Sequence, residues 1–418
     1  MTVSIFKMKN KTILSARHVV TILLVFYLFS FRSYCGDKVK LGIDNIDSYL
    51  KVFEGKRVGL ITNQTGLNSE FVPTIDILKA KTELKALYCP EHGIRGDAGP
   101  GDNVDSYTDS KSGLPVYSLY KNGTGIPPAK EDIEGIDILA YDVQDVGARF
   151  YTYISTMYQS MKACKKYDKE FIVFDRPDPI SGNIVEGGIT GRDYVSFVGI
   201  APIPGRYGLT CGELAKYLND SMKIGCKLTV IPMNNWKRNM FWQNTKLLWI
   251  PTSPNIPTAE TAIVYAGTCF FEGTNLSVGR GTAMPFLQIG APWIKDPEKL
   301  ADGMNKLQLN GVKFRGLYFA PLADMYKGEL CGGIGICVTD RKNFRAVEVA
   351  VKLLFKIREL YNNKFEFRSP AKDGRYWIDL LTGSSMLRTS DSAEKVLRDW
   401  KVQSEEFKNK TKKYYIYQ

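Results

Sequence analysis

Histidine is nearly absent from this 418-residue chain, which has His18 and His92 alone. His18 sits in an N-terminal leader, so His92 is the single histidine expected in the mature protein. One histidine cannot build a histidine-rich zinc site. The eight cysteines, at 35, 89, 164, 211, 226, 269, 331 and 337, form no CxxC pair. A strand–GxGxxG–helix unit is missing, which argues against dinucleotide binding. A G-x-S-x-G elbow is missing too, which argues against the usual serine hydrolase. No basic run interleaves with aromatics as a nucleic-acid face would. The nearest, Lys408-Asn409-Lys410-Thr411-Lys412-Lys413, reads as a solvated helix end. Internal repeats and low-complexity linkers are also lacking.

Long apolar runs are scarce as well. Residues 19–31 read VVTILLVFYLFSF, short of the roughly 20 residues a spanning helix needs. Lys7, Lys9, Lys11 and Arg17 precede this run, the pattern of a signal peptide over residues 1–35. Cys35 follows closely and is a candidate lipid anchor, although Arg32-Ser33-Tyr34 is a poor approach to one. The expectation is an exported protein, periplasmic or extracellular. Net charge is +12; the leader carries five positive charges and no acid, which leaves +7. A basic protein outside the cytoplasm suits an anionic polymer such as the cell wall. Most cysteines lie in apolar runs and read as buried thiols, with one or two disulfides open.

What the chain does have is a regular alternation of strands and helices. Arg57-Val58-Gly59-Leu60-Ile61 reads as a strand, followed by a helix over 74–81 and a strand over 84–89. Further strands are expected at 136–141, 171–174 and 227–232. Ile154, Met157, Tyr158, Met161 and Cys164 recur at helical spacing within 152–167. Thr210-Cys211-Gly212-Glu213 is a capping box opening another helix. This alternation predicts an α/β fold with a doubly wound, mainly parallel sheet. After about residue 250 the texture changes. Helix 297–307, strands 313–320 and 333–339, helix 345–361 and a C-terminal helix from Ser392 predict a smaller α+β auxiliary domain. We place the domains at 36–258 and 259–418.

Polar residues gather where the predicted strands end. Pro90-Glu91-His92-Gly93 stops the apolar run 84–89. Ligands of open α/β sheets bind beyond the carboxyl ends of strands. Other strand ends add Asn63, Arg95, Asp142, Asp145, Arg149, Tyr151, Tyr153, Asp175 and Arg176. Breaking a glycosidic bond takes two carboxyls of different acidity, one protonated and one able to attack or stabilise the sugar ring. This cluster can supply both. Arginines singly are more often ion-pair partners, but together they read as an anion site. The Gly-rich stretch Glu272 to Thr282, with Asn275 and Arg280, reads as a substrate loop. Asp97, Asp102, Asp105 and Asp109 do not match an EF-hand loop.

Five stretches then resemble one family in chain order. They are Pro90-Glu-His-Gly-Ile-Arg-Gly96, Asp142-Val-Gln-Asp-Val-Gly-Ala-Arg-Phe-Tyr-Thr-Tyr153, Phe174-Asp-Arg-Pro-Asp-Pro179, Ser253-Pro-Asn-Ile-Pro-Thr258, and Phe271-Glu-Gly-Thr-Asn-Leu-Ser277 with Gly279-Arg-Gly-Thr282. They resemble the exo-β-N-acetylmuramidases, once known only as a domain of unknown function. The resemblance covers nearly all of the mature chain. It implies a Rossmann-like domain, a smaller auxiliary domain, and a cleft between them. It implies release of N-acetylmuramic acid from the non-reducing ends of peptidoglycan fragments, with Glu91 the leading catalytic candidate.

The resulting expectation is a secreted glycosidase with Glu91 as general acid and His92 orienting it. Asp145 or Glu272 would attack or stabilise the anomeric carbon. Asn63, Arg95, Arg149, Tyr151, Arg176, Asn255, Asn275, Arg280 and Thr282 are the expected substrate contacts, the arginines gripping the lactyl carboxylate. Neither cofactor nor metal is expected. The partner is a peptidoglycan-derived saccharide, with no nucleic acid and no stable protein partner. The rival readings are a non-catalytic cell-wall-binding protein and another hydrolase of cell-wall sugars.

Overall fold

A computed structural model describes residues 37–99, 101–103 and 105–418. The expected leader, residues 1–35 with Cys35, therefore lies outside the described residues. The main sheet has seven strands. They are β1 (Arg57–Thr62), β2 (Glu83–Cys89), β3 (Tyr107–Thr108), β4 (Pro115–Ser118), β7 (Ile138–Asp142), β8 (Glu170–Phe174) and β9 (Lys227–Ile231), with the hairpin β5 (Tyr120–Lys121) and β6 (Thr124–Gly125) outside it. The order is β3-β4-β2-β1-β7-β8-β9. Only β3 runs antiparallel to its neighbour. The chain winds outward from β1 through β2 to β4, then returns beside β1 and winds the other way. This is the doubly wound α/β arrangement the alternation predicts.

The central strands β1, β7 and β8 are buried along most of their length because both faces are covered. In β8, Phe171 and Val173 join one core cluster while Ile172 and Phe174 join the other. Helices α1 (Thr74–Lys81), α2 (Lys130–Ile133), α3 (Tyr153–Lys166) and α4 (Cys211–Ser221) connect the strands. The capping box of α4 forms as its sequence predicts: the Thr210 side chain accepts from the Glu213 amide, and Glu213 from the Thr210 amide.

The remaining chain builds a three-stranded antiparallel sheet, β10 (Gln288–Ala291), β11 (Val312–Phe319) and β12 (Cys331–Val338), ordered β10-β12-β11. It carries α5 (Ala259–Thr268), α6 (Pro297–Asn305), α7 (Ala346–Leu360), α8 (Trp377–Thr382), α9 (Met386–Thr389) and α10 (Ala393–Thr411). One hydrophobic cluster runs from Ile61 in β1 through Phe270, Ile334 and Leu354 to Tyr414, so this sheet shares its core with the first. The C-terminal tail returns to the main sheet. Tyr417 donates to Asp175 at 2.6 Å, and the Ile416 amide donates to Glu213 at 2.9 Å. The seven cysteines from Cys89 to Cys337 are free thiols, six of them buried. Among the described residues no helix is long and apolar enough to cross a membrane.

Several residues expected at the site instead close the crevice at the carboxyl ends of β1, β7 and β8. Asp142 is fully buried and paired with Arg176, Nε to Oδ1 at 2.5 Å and Nη2 to Oδ2 at 3.0 Å, while Thr74 donates to its other oxygen. Arg176 also donates to the Leu67 carbonyl at 2.8 Å. Asn63 caps its own turn, accepting from the amide and hydroxyl of Thr65. Asp145 accepts from Tyr207 and from the Gly147 amide at 2.7 Å. Asp175 accepts from Thr210 at 2.8 Å and from the Gly212 amide. Only about 30 Å³ remains open there, between Thr65, Gln144, Arg176 and Trp242.

Two predictions follow from this packing. Gly267 in α5 lies against α7, where an added Cβ would overlap the Ala346 carbonyl oxygen. Backbone cannot yield as a side-chain tip can, so Gly267→Ala should cost about 1–3 kcal/mol, read as a lowered Tm. Asp145 supplies the second. Burial pushes its carboxyl up to about 7, against the partly offsetting bond from Tyr207. The folded state therefore keeps a proton that the unfolded chain releases near its ordinary value of 3.8. Stability from this group is complete below that value and is lost as pH rises to about 7. Urea titrations across this range should show Asp145→Asn gaining on the parent as pH rises. A constant difference would mean that Asp145 does not titrate there.

Candidate active site

The open cavity lies one strand over from the closed crevice, beyond β2. Strand β2 stops at Pro90, which cannot donate to a sheet, and the chain turns through residues 91–96. His92 is buried and adopts φ 75°, a left-handed conformation that L side chains with a Cβ disfavour. Strain of this kind concentrates at functional sites. His92 Nδ1 lies 3.0 Å from the Ala98 carbonyl. A carbonyl only accepts, so in the neutral ring Nδ1 holds the hydrogen and Nε2 keeps the lone pair. The imidazole thereby ties residues 92–98 into a closed loop.

Glu91 is half-buried. Its Oε2 accepts from Thr152 Oγ1 at 2.8 Å and its Oε1 from the Gly101 amide at 3.3 Å. Thr152 is the residue at which α3 begins. Burial, and then the negative charge of Glu91, push the Tyr120 phenol well above its ordinary value. On either side of Thr152, Tyr151 donates to Thr252 Oγ1 at 2.8 Å and Tyr153 to the Thr252 carbonyl at 2.7 Å. These bonds pin the Ser253–Asn255 turn against the start of α3. The rings form a continuous wall: Tyr151 meets Tyr153 at 4.8 Å and Tyr265 at 5.9 Å, and Tyr265 meets Phe286 at 4.7 Å.

The second carboxylate comes from the other half of the chain. Glu272 sits in a 3-10 turn, Cys269–Gly273, directly after α5. Arg280 donates to its Oε1 through Nε at 3.0 Å and again through Nη2. Cys269 Sγ approaches Oε2 at 3.6 Å. Burial pulls the Arg280 guanidinium down, but Glu272 outweighs it, and Arg280 ends above its ordinary value. Asp324 lies 3.7 Å from Arg280 Nε, and the guanidinium stands 5.1 Å over the Phe286 ring. The cavity has a volume of about 200 Å³, and Glu91, His92, Tyr151, Asn255, Glu272 and Arg280 all line it.

Seven other expected residues do not reach it. Asp145, Arg176 and Asn63 hold the closed crevice, as described. Arg149 is fully buried without a carboxylate, donating to the carbonyls of Gly188, Ile203 and Leu381, each at 2.7 Å. Burial alone lowers it to about 9. It clamps three chain segments rather than gripping a ligand. Arg95 is committed to Asp109, 2.9 Å from each oxygen. Asn275 bridges the Lys364 carbonyl and the Glu366 amide. Thr282 donates to Gly279 at 2.6 Å and accepts from Met284 and Gln288, holding its own turn. Conversely, Thr152, Tyr120, Tyr265, Phe286 and Trp377 line the cavity without having stood out as candidates. For Thr152 a signal existed, a hydroxyl residue at a helix start within a Tyr-Thr-Tyr run. The aromatic residues read as ordinary core.

Comparison with known proteins agrees with this architecture. Residues 58–260 match the N-terminal family model of exo-beta-N-acetylmuramidase NamZ, and residues 263–417 match the C-terminal one. The chain is 44% identical over 387 residues to the peptidoglycan beta-N-acetylmuramidase NamZ of Bacillus subtilis (strain 168), covering 91% of this chain and 92% of that protein. A crystal structure of a DUF1343 family protein from Bacteroides fragilis NCTC 9343 superposes with a TM-score of 0.83 at 39% identity, covering 91% of this chain and 99% of that one. A second from the same organism gives 0.71 at 30%, with the same coverage. The cavity joins residues from both matched segments, and this chain belongs to the exo-β-N-acetylmuramidase NamZ family.

Proposed function

We propose that this protein is a glycosidase that releases N-acetylmuramic acid from the non-reducing ends of peptidoglycan fragments, with Glu91 and Glu272 as its two working carboxyls. The observation that carries this reading is their placement. Two carboxyls from distant parts of the chain line one cavity, and their surroundings differ. Glu272 is ion-paired with Arg280. It suits the developing positive charge on the sugar ring, or attack on the anomeric carbon. Glu91 is held by hydroxyls and one amide, and no cation among the described residues forms an ion pair with it. It suits proton transfer to the leaving oxygen. Asp145, the other carboxyl considered, is buried against Tyr207 and does not line the cavity.

Of the four arginines considered for the lactyl carboxylate, Arg280 alone lines the cavity. Its looser contact with Asp324, at 3.7 Å, is the one a substrate carboxylate would replace. The aromatic wall supplies apolar faces for the pyranose ring. An anionic cell-wall substrate is consistent with the basic chain and its leader-like N-terminus, and we place the protein outside the cytoplasm on that ground.

Glu91→Gln keeps the shape of the side chain and removes its proton. The variant should fold as the parent does and lose about 10²–10⁴ in kcat on a chromogenic N-acetylmuramide. Near-parental kcat would remove Glu91 from the role. A second assay addresses the end that is cut. Fragments ending in N-acetylmuramic acid at the non-reducing end should release free sugar, and fragments capped there by N-acetylglucosamine should not. Equal cleavage of both would indicate an endo-acting enzyme, and cleavage of neither a binding protein.

A further inference from the structure

We infer that Thr152 is a positioning residue for Glu91, a hydroxyl contact able to follow that carboxyl through both of its protonation states. The inference rests on the glycosidase reading above and adds a residue to it.

The starting point is an unused cap. Thr152 stands at the N-cap of α3, where a threonine hydroxyl ordinarily accepts from an amide in the first turn. Here it makes no such bond, and its φ of −74° and ψ of −10° are already helical. The helix is held by the Thr152 carbonyl instead, which accepts from the amides of Ser155 at 3.0 Å and Thr156 at 3.1 Å. The hydroxyl forgoes the helix and donates to Glu91 Oε2 at 2.8 Å.

Its chemistry fits a group that gains and loses a proton. A hydroxyl donates to a carboxylate, and can turn to accept from a carboxylic acid. The Gly101 amide can only donate and is longer at 3.3 Å, and the Tyr120 phenol is a further contact. A guanidinium or ammonium in place of Thr152 would likewise only donate and would hold Glu91 as the anion. Rigidity is supplied from both sides. Tyr151 and Tyr153 are fastened to Thr252, and the β-branch of Thr152 restricts its χ1.

The titratable and charged groups that face Glu91 are few. Burial and then the charge of Glu91 push up Tyr120, and Glu91 also contributes to the raised Tyr153, after burial and Tyr151. His92 adjoins it, and Glu272 with Arg280 shares the cavity. None of these changes in a Thr152 variant.

The test is the pH profile of kcat/KM on a chromogenic N-acetylmuramide for Thr152→Val, Thr152→Ala and Thr152→Ser. Valine keeps the shape and loses the hydroxyl. Without its donor the anion is less favoured, so the basic limb should move up by about one pH unit, the scale of a single hydrogen bond to a charged group. Turnover should fall roughly ten- to a hundredfold as the carboxyl loses its alignment. Alanine should do the same and guards against a misfolded valine variant. Serine should keep the parental limb and most of the rate. A parental profile in both valine and alanine variants overturns the inference. So does an equal loss in all three with no limb displaced, since that is what a merely structural threonine would give. If Glu91→Gln is inactive while the valine and alanine profiles are parental, this inference alone fails. If Glu91→Gln is active, the functional reading fails with it.

Discussion

Burying carboxylates at the carboxyl ends of β7 and β8 constrains everything built around them. Asp142 and Asp175 are fully buried and Asp145 nearly so. A buried carboxyl without partners costs free energy whether charged or protonated, so each recruits partners, and the partners lie far away in the chain. Thr74 and Arg176 converge on Asp142, Tyr207 on Asp145, and Thr210 and Tyr417 on Asp175. Satisfying them docks the start of α1, the start of α4 and the C-terminal tail onto one end of the sheet. It also fills the crevice between β1 and β7, where an open α/β sheet would ordinarily receive a ligand.

With that crevice closed, the cavity sits beyond β2 and is completed from the second half of the chain. The main sheet contributes Glu91, His92 and the start of α3. The segment after α5 contributes Glu272 and Arg280, and α8 contributes Trp377. The continuous core makes this a stable arrangement, because the two sheets share buried side chains across the junction. The chemistry then follows from contrast. One carboxylate carries an arginine fork, and the other hydroxyls and an amide. Two identical groups in two settings are what acid–base division of labour needs.

Most of the fold was legible from periodicity. Apolar strands alternating with helices at 3.6 spacing imply a two-sided parallel sheet, and the observed strands fall within a few residues of those expected. The short strands β3, β4 and β10 carry too few residues for a pattern. Helices α8 and α9 are equally short, and their burial is decided by neighbours distant in sequence. Glu91 and His92 were legible because Pro90 and Gly93 end a strand around them, and Arg280 and Glu272 because a Gly-rich loop surrounds them.

The local sequence determined which residues stand at strand ends, and hence a list of polar candidates. Only the tertiary structure decided which of those face open space and which face each other. Arg176 and Arg280 show the difference. Both follow a strand or turn, and both are paired with a carboxylate. Arg176 meets Asp142 inside a filled crevice, and Arg280 meets Glu272 on a cavity wall. Nothing within a few residues of either distinguishes them. The partner of a buried charge is chosen by long-range packing, and the free energy of desolvation depends on the whole surroundings rather than on the adjacent chain.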